Sequence, residues 1–265
     1  TIAFNSDTHK SAGRQVDTMN ANFSQQESNN DMSLVRKDFA MTVPASGPFS
    51  MDDQAYKNWR DTKLANYPES LEQLMVDIND LANPTASELD AINSICSKTN
   101  FALYRCHNPA EYKAAVQQFG VALGLHQLDT HLCADEDGIA SLSDDPTGQR
   151  QEYIPYSNKA INWHTDGYYN TWQHRIRSVI LHCACPASVG GENQLLDHDI
   201  VYIRMRDRNP DYIQALMRAD VMTIPANVQN GIEIRAQQSG PVFYVDSETH
   251  RLYMRYTART RSIQW

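Results

Sequence analysis

The sequence predicts an α+β chain, with helices in its first part and a β core carrying packed helices after them. Two observations support this. Apolar residues recur at helical spacing between residues 50 and 124. From Ala160 onward they gather instead into short β-rich runs separated by turn residues. A third observation is the Gly190-Gly191 pair joining two such runs, as a double-stranded β-helix (jelly roll) would require.

Residues 1–48 read as a polar N-terminal arm, rich in Asn, Ser, Gln and Asp and without an apolar period. Residues 49–265 are expected to form a single domain, helical over 49–128 and jelly-roll over roughly 129–265. Ser50 is a suitable N-cap, and Asp52 and Asp53 suit the positive end of a helix carrying Tyr56, Trp59 and Leu64. Leu71, Leu74, Met75, Ile78 and Leu81 predict a second helix over 69–81. Thr85-Ala86-Ser87-Glu88 is a capping box for a third, carrying Leu89, Ile92 and Ile95. Residues 101–105 read as a strand. Asn108 then caps a helix with Pro109 at its first position and Tyr112, Ala115, Val116 and Phe119 on its core face. Residues 129–158 are acidic; Asp135-Glu136-Asp137-Gly138 lacks the spacing of a calcium loop and reads as a solvated segment. Strands are then expected around His164, over 177–186 and over 193–197. Asn209-Pro210 starts a helix through Met217, and strands follow at 221–224, 241–245 and 252–256, the last two as a hairpin.

Of the 265 residues, 41% are hydrophobic and 21% charged, an ordinary globular composition. The net charge is −9, which disfavours nucleic acid or anionic membrane as a partner, since both reward clustered Lys and Arg. No apolar run approaches the ~20 residues of a membrane span, and Thr1 to Asn5 lack the pattern of a signal peptide. The five cysteines are odd in number and irregularly spaced, with no Cys-x-x-Cys pair. That fits a reducing cytoplasm better than a disulfide framework or a structural zinc site.

The stretch with the most chemistry in it is Asn162-Trp163-His164-Thr165-Asp166-Gly167. On a strand, residues i and i+2 share a face, so His164 and Asp166 project side by side. An imidazole and a carboxylate are two of the three ligands in the facial triad of non-haem Fe(II) enzymes, which leaves coordination positions open. Asn162 shares that face, and Gly167 lets the chain turn beside it.

Asn-Trp-His-Thr-Asp-Gly, followed by Val-Ile-Leu-His-Cys-Ala-Cys-Pro and Gly-Gly-Glu-Asn-Gln-Leu-Leu-Asp, resembles the core of the taurine dioxygenase (TauD/TfdA-like) Fe(II)/2-oxoglutarate-dependent oxygenases. The stretch from Pro241 to Arg261 is similar to the hairpin and Tyr-Thr segment of that family, and the resemblance covers about residues 100–265. It implies a jelly-roll core flanked by helices, with Fe(II), 2-oxoglutarate and O2 as cofactor and co-substrates and a small molecule as substrate. His164 and Asp166 would be two iron ligands. Asn193 stands where the family often has the Thr that meets the 2-oxoglutarate carboxylate. Retention of Asp166 disfavours halogenation, since halogenases of this kind lack the carboxylate.

The third ligand has two candidates. His250 is the last histidine of the chain. The family pattern instead sets the distal His on a later strand, which would lie beyond Trp265, so that the C-terminal strands of the jelly roll would be missing here. Arg255, Arg259 or Arg261 could clamp a dicarboxylate. By proximity in sequence, Asn162, Tyr168 and Arg255 are candidate substrate contacts. His182 with Cys183 and Cys185 reads as packing on a strand rather than a soft-metal site. Two other functions remain open on sequence grounds. One is a non-catalytic jelly-roll binding protein with an incomplete triad; the other is a metalloenzyme independent of 2-oxoglutarate.

Overall fold

The computed structural model describes residues 2–4, 47–106, 112–128, 139–143, 154–247, 249–259 and 263–265. Helix α1 (Asp53–Leu64) is capped by Asp52, whose carboxylate accepts from the N–H groups of Gln54 and Ala55. Ser50, the expected cap, lies two residues too early. Its hydroxyl donates to the Gly47 carbonyl and accepts from the Asp52 N–H, which holds the approach to the helix.

The helix expected over 69–81 does not form. A 3-10 turn (Glu72–Leu74) leads into strand β2 (Met75–Ile78). Within it Val76 and Ile78 are buried while Asp77 faces out to Arg105, a period of two that outweighs the longer apolar spacing. The capping box does form and opens α2 (Ala86–Thr99), which ends on Asn100 in the left-handed region at φ 62°. Strand β3 (Leu103–Cys106) returns parallel to β2, in register from Met75↔Leu103 to Ile78↔Cys106. Helix α3 (Tyr112–Ala122) lays Val116 and Phe119 on this β-α-β unit, and with Ile78, Leu81 and Ile92 they form one of two apolar cores. The cap expected at Asn108-Pro109, and much of the expected acidic loop, lie outside the described residues.

The arm expected over residues 1–48 contributes a strand: β1 (Ile2–Phe4) pairs antiparallel with β4 (Ser178–Ile180). Strand β4 is shorter than the 177–186 expected, and residues 193–197 form no strand at all. Leu181, Leu195 and Leu196 carry the apolar pattern of strands but are exposed, because no neighbouring strand among the described residues covers them.

Helix α4 (His198–Arg208), capped by Asp197, was not expected from the sequence. Helix α5 (Pro210–Leu216) starts at the expected Asn209-Pro210. Three antiparallel pairs follow. Strand β5 (Met222–Ile224) pairs with β8 (Gln238–Gly240), β6 (Asn227–Gln229) with β7 (Ile232–Arg235), and β9 (Phe243–Val245) with β10 (Leu252–Met254). The second core joins Tyr202, Ile203, Ile213, Met222, Phe243 and Leu252 to Phe49 and Tyr56 from the N-terminal side. The architecture is thus α+β, with five helices and five two-stranded sheets among the described residues. No closed jelly roll forms among those residues. No helix of the described residues is long and apolar enough to cross a membrane, and Cys96, Cys106, Cys183 and Cys185 are free thiols.

Candidate metal centre

The stretch around His164 is extended but is held by an isolated bridge rather than a strand. His164 pairs antiparallel with Thr257. The Thr165 N–H donates to the Tyr256 carbonyl at 2.9 Å, and the Ala258 N–H donates to the Trp163 carbonyl at 2.8 Å. The Tyr256 N–H closes the ladder on the Thr165 hydroxyl at 3.0 Å. The segment following β10 therefore supports the site.

On this short ladder the two side chains meet as their spacing predicts. His164 Nε2 lies 3.3 Å from Asp166 Oδ1, with about a third or more of each side chain open to solvent. The other ring nitrogen, Nδ1, is 2.8 Å from the Asn162 carbonyl oxygen. A carbonyl only accepts, so Nδ1 carries a proton; Nε2 faces the Asp166 carboxylate and donates to it when the ring is protonated. Histidines that bind metals are oriented in this way, through a hydrogen bond from the second nitrogen. The hydrogen bond to Asp166 raises the pKa of His164 above its usual value, against a smaller opposing effect of burial.

Gly167 directs the chain away from the pair. It sits at φ +64°, and a Cβ there would lie 2.5 Å from Ile176 Cγ1. The loop it opens is pinned by charge. Arg175 and Arg177 reach the buried Asp246 carboxylate at 3.3 and 3.2 Å, and the Thr249 N–H and hydroxyl donate to its other oxygen. Arg175 also stacks on Trp172 at 4.0 Å. Between this loop and the β strands lies a small cleft of about 40 Å³, partly open to solvent, bordered by Thr165, Asp166, Tyr168, Trp172, Arg175 and Tyr244. Burial raises the pKa of Tyr244, so its phenol stays protonated at neutral pH.

A family model described as "Taurine catabolism dioxygenase TauD, TfdA family" matches residues 61–265. The chain belongs to the TauD/TfdA family. No curated protein and no solved structure matches it.

Against that membership, the remaining residues singled out in the sequence divide clearly. Asn162 contributes its carbonyl to His164. The ring of Tyr168 meets that of His164 edge-on at 6.5 Å, and Tyr168 lines the cleft. Arg255 also borders the cleft, but its guanidinium is committed elsewhere. It donates to the carbonyls of Tyr168, Met222 and Gln238 at 2.7, 3.0 and 3.0 Å. Burial pulls its pKa down to about 10, still charged at neutral pH. Arg255 thus ties the site loop to β5 and β8 rather than offering itself to a substrate. Asn193 is exposed, bonded through Nδ2 to the Gly191 carbonyl, and does not border the cleft.

His250 does not join the pair. It is exposed at φ 54° in the β9–β10 turn, with its N–H on the Asp246 carbonyl. Six residues, including strand β10, separate it from the Thr257 that faces His164. Among the described residues no three His, Cys, Asp or Glu side chains gather as a metal site. Trp172 and Arg175 also border the cleft and are not among the site residues expected from the sequence. The available signal was Arg175-Ile176-Arg177, two arginines on one face just before an apolar run.

Proposed function

We propose that the protein is an Fe(II)- and 2-oxoglutarate-dependent dioxygenase that hydroxylates a small molecule. The observation that supports it is the orientation of His164, with Nδ1–H fixed on a carbonyl and Nε2 turned to the Asp166 carboxylate. The donor chemistry fits the metal, since a neutral imidazole and a carboxylate are the usual ligands of such iron. The spacing fits as well. Two adjacent ligands with bonds of about 2.1 Å would sit about 3 Å apart, close to the 3.3 Å observed.

His164 and Asp166 would hold the iron, and we place the third ligand outside the described residues. When bound, Fe(II) supplies open positions for 2-oxoglutarate and O2, whose conversion to succinate and CO2 leaves one oxygen atom in the hydroxylated product. The chain orients that chemistry. The Asn162 carbonyl keeps the Nδ1 proton in place, so metal binding displaces a proton only from Nε2. Tyr168 and the Arg175–Trp172 stack wall the cleft beside Asp166, which is where a small substrate would lie.

Anaerobic addition of Fe(II) and then 2-oxoglutarate tests this reading. A weak visible charge-transfer band, followed by succinate release on admitting air, is expected. Absence of both would sink it. The two-donor arrangement among the described residues favours one other reading, a binding protein with an incomplete triad. That protein would bind a small molecule in the cleft and release no succinate.

A further inference from the structure

Most polar groups bordering the cleft are already taken up. Arg255 holds three carbonyls, and Arg175 shares Asp246 with Arg177. Asn170 donates through Nδ2 to the His174 carbonyl at 2.8 Å, and the Ser239 hydroxyl meets that of Thr223 at 2.7 Å. Arg175 Nε has no partner but is sealed from solvent. Tyr244 differs. It is only 7% exposed, it borders the cleft, and its phenol makes no hydrogen bond among the described residues. Unlike Arg175 Nε, its oxygen is not sealed off, so the hydroxyl keeps an opening through the cleft.

The fold fixes this phenol in place. Tyr244 is the middle residue of β9 and stands directly opposite Tyr253 of β10. Cross-strand partners share a face, and the two rings stack at 5.4 Å and 11°. The Trp172 ring meets Tyr244 edge-on from the other wall at 4.7 Å. A ring held on both sides has little freedom left to lose when it binds. Burial, helped by the Tyr253 phenol and the Asp246 carboxylate, keeps the hydroxyl protonated, so it is a neutral donor. Buried hydroxyls in folded proteins find partners, and the open side of this one is the cleft. With about 40 Å³, the cleft has room for about three waters. It therefore takes the head group of a ligand and not a whole molecule.

We propose that the Tyr244 phenol donates a hydrogen bond to an uncharged oxygen, carbonyl or hydroxyl, on the head group of the molecule bound in the cleft. The proposal rests on the reading of the cleft beside Asp166 as the place of the substrate. An anionic head group would need an unspent cation, and the guanidiniums bordering the cleft are turned to fixed acceptors. An apolar head group would leave the buried donor unpaired, which a site of this kind rejects. Tyr244 is thus a specificity residue and takes no part in bond making.

The test uses the full chain as wild type, Tyr244→Phe and Tyr253→Phe, each titrated well below its melting temperature. Acetamide is the neutral probe, and acetate is its charged counterpart of nearly the same shape. Tyr244→Phe removes one oxygen and keeps the stacked rings, so it should melt as wild type does. Acetamide should shift the Trp172 indole N–H signal of wild type, assigned by its loss in Trp172→Phe. Tyr244→Phe should weaken that binding by on the order of threefold to tenfold. Tyr253→Phe removes a phenol that does not border the cleft and should bind acetamide as wild type does. Acetate should bind wild type more weakly than acetamide. The proposal is overturned if acetamide leaves the wild-type signal unmoved, if the two tyrosine variants behave alike, or if acetate binds the more tightly. Running the titrations with and without Zn(II), a diamagnetic stand-in for iron, keeps the claims apart. Failure of wild type to bind metal overturns the metal reading, while the metal-free acetamide results still decide the role of Tyr244.

Discussion

Arg255 shows how one residue can be misread from sequence. Following a tyrosine hairpin and near other arginines, it suggests an anion clamp. In the fold, its three N–H groups hold three carbonyls from separate segments. Replacing it with Met leaves those acceptors without a donor and should cost about 3 kcal/mol or more. Arg255→Lys should recover little, since one ammonium cannot match the fork. Urea denaturation of the three proteins checks this. Gly167 is the complementary case, legible as a turn but with a tighter constraint than the turn implies. At φ +64° and against Ile176, Gly167→Ala should cost about 2 kcal/mol. It should also weaken metal binding by displacing Asp166; thermal melting and a metal titration together read both effects.

At the scale of elements, local signals were the most readable. The capping box at Thr85, the Asn209-Pro210 start and the β9–β10 hairpin all form where the sequence expects them. Each depends on residues within a few positions of one another. Elements whose pattern depends on distant partners were lost. Strand β2 hid inside a helical spacing because Leu71 is exposed and never joins the core. Helix α4 has no clean apolar face, because Arg206 is buried in it, stacked on Tyr56 at 3.9 Å. The β6–β7 hairpin carries a strong local signal, Asn230-Gly231 with both residues at positive φ, but its apolar residues Val228 and Ile232 are exposed. The capping box also makes a pH prediction. Hydrogen bonds from the Asn79 and Thr85 N–H groups and the Thr85 hydroxyl hold the Glu88 carboxyl below its usual pKa. A lowered folded-state pKa gives stability that is present above the unfolded value of about 4.3. That stability is lost as pH falls through the lowered one. The stability gap between wild type and Glu88→Gln should therefore hold from neutral pH to about 5, shrink as pH falls through the unfolded value of about 4.3, and close only below the lowered folded-state one. Denaturation at several pH values would show it, and a gap that widens in acid would contradict it.

Across the whole molecule, the two cores are tied by a buried polar knot. Lys63 of α1 pairs with Asp197 and Asp199 at 2.8 and 2.7 Å, while Tyr67 and Asn100 donate to Asp197. Asp197 is 2% exposed and also caps α4. Asp197→Ala removes a cap and a partner of a buried ammonium, and should cost about 3 kcal/mol, read as a lowered midpoint in denaturant. This long-range knot was invisible in sequence, since its members span residues 63 to 199. The His164–Asp166 pair was visible, because two residues on one extended stretch need no distant information to meet. Its support from Thr257, by contrast, comes from 93 positions away (257 − 164). The account therefore depends most on whether that pair binds metal. Anaerobic Fe(II) titration of wild type, His164→Ala, Asp166→Ala and His250→Ala tests it directly. His164→Ala and Asp166→Ala should each lose iron, and His250→Ala should bind as wild type does. Iron retained by His164→Ala, or lost by His250→Ala, would contradict the account.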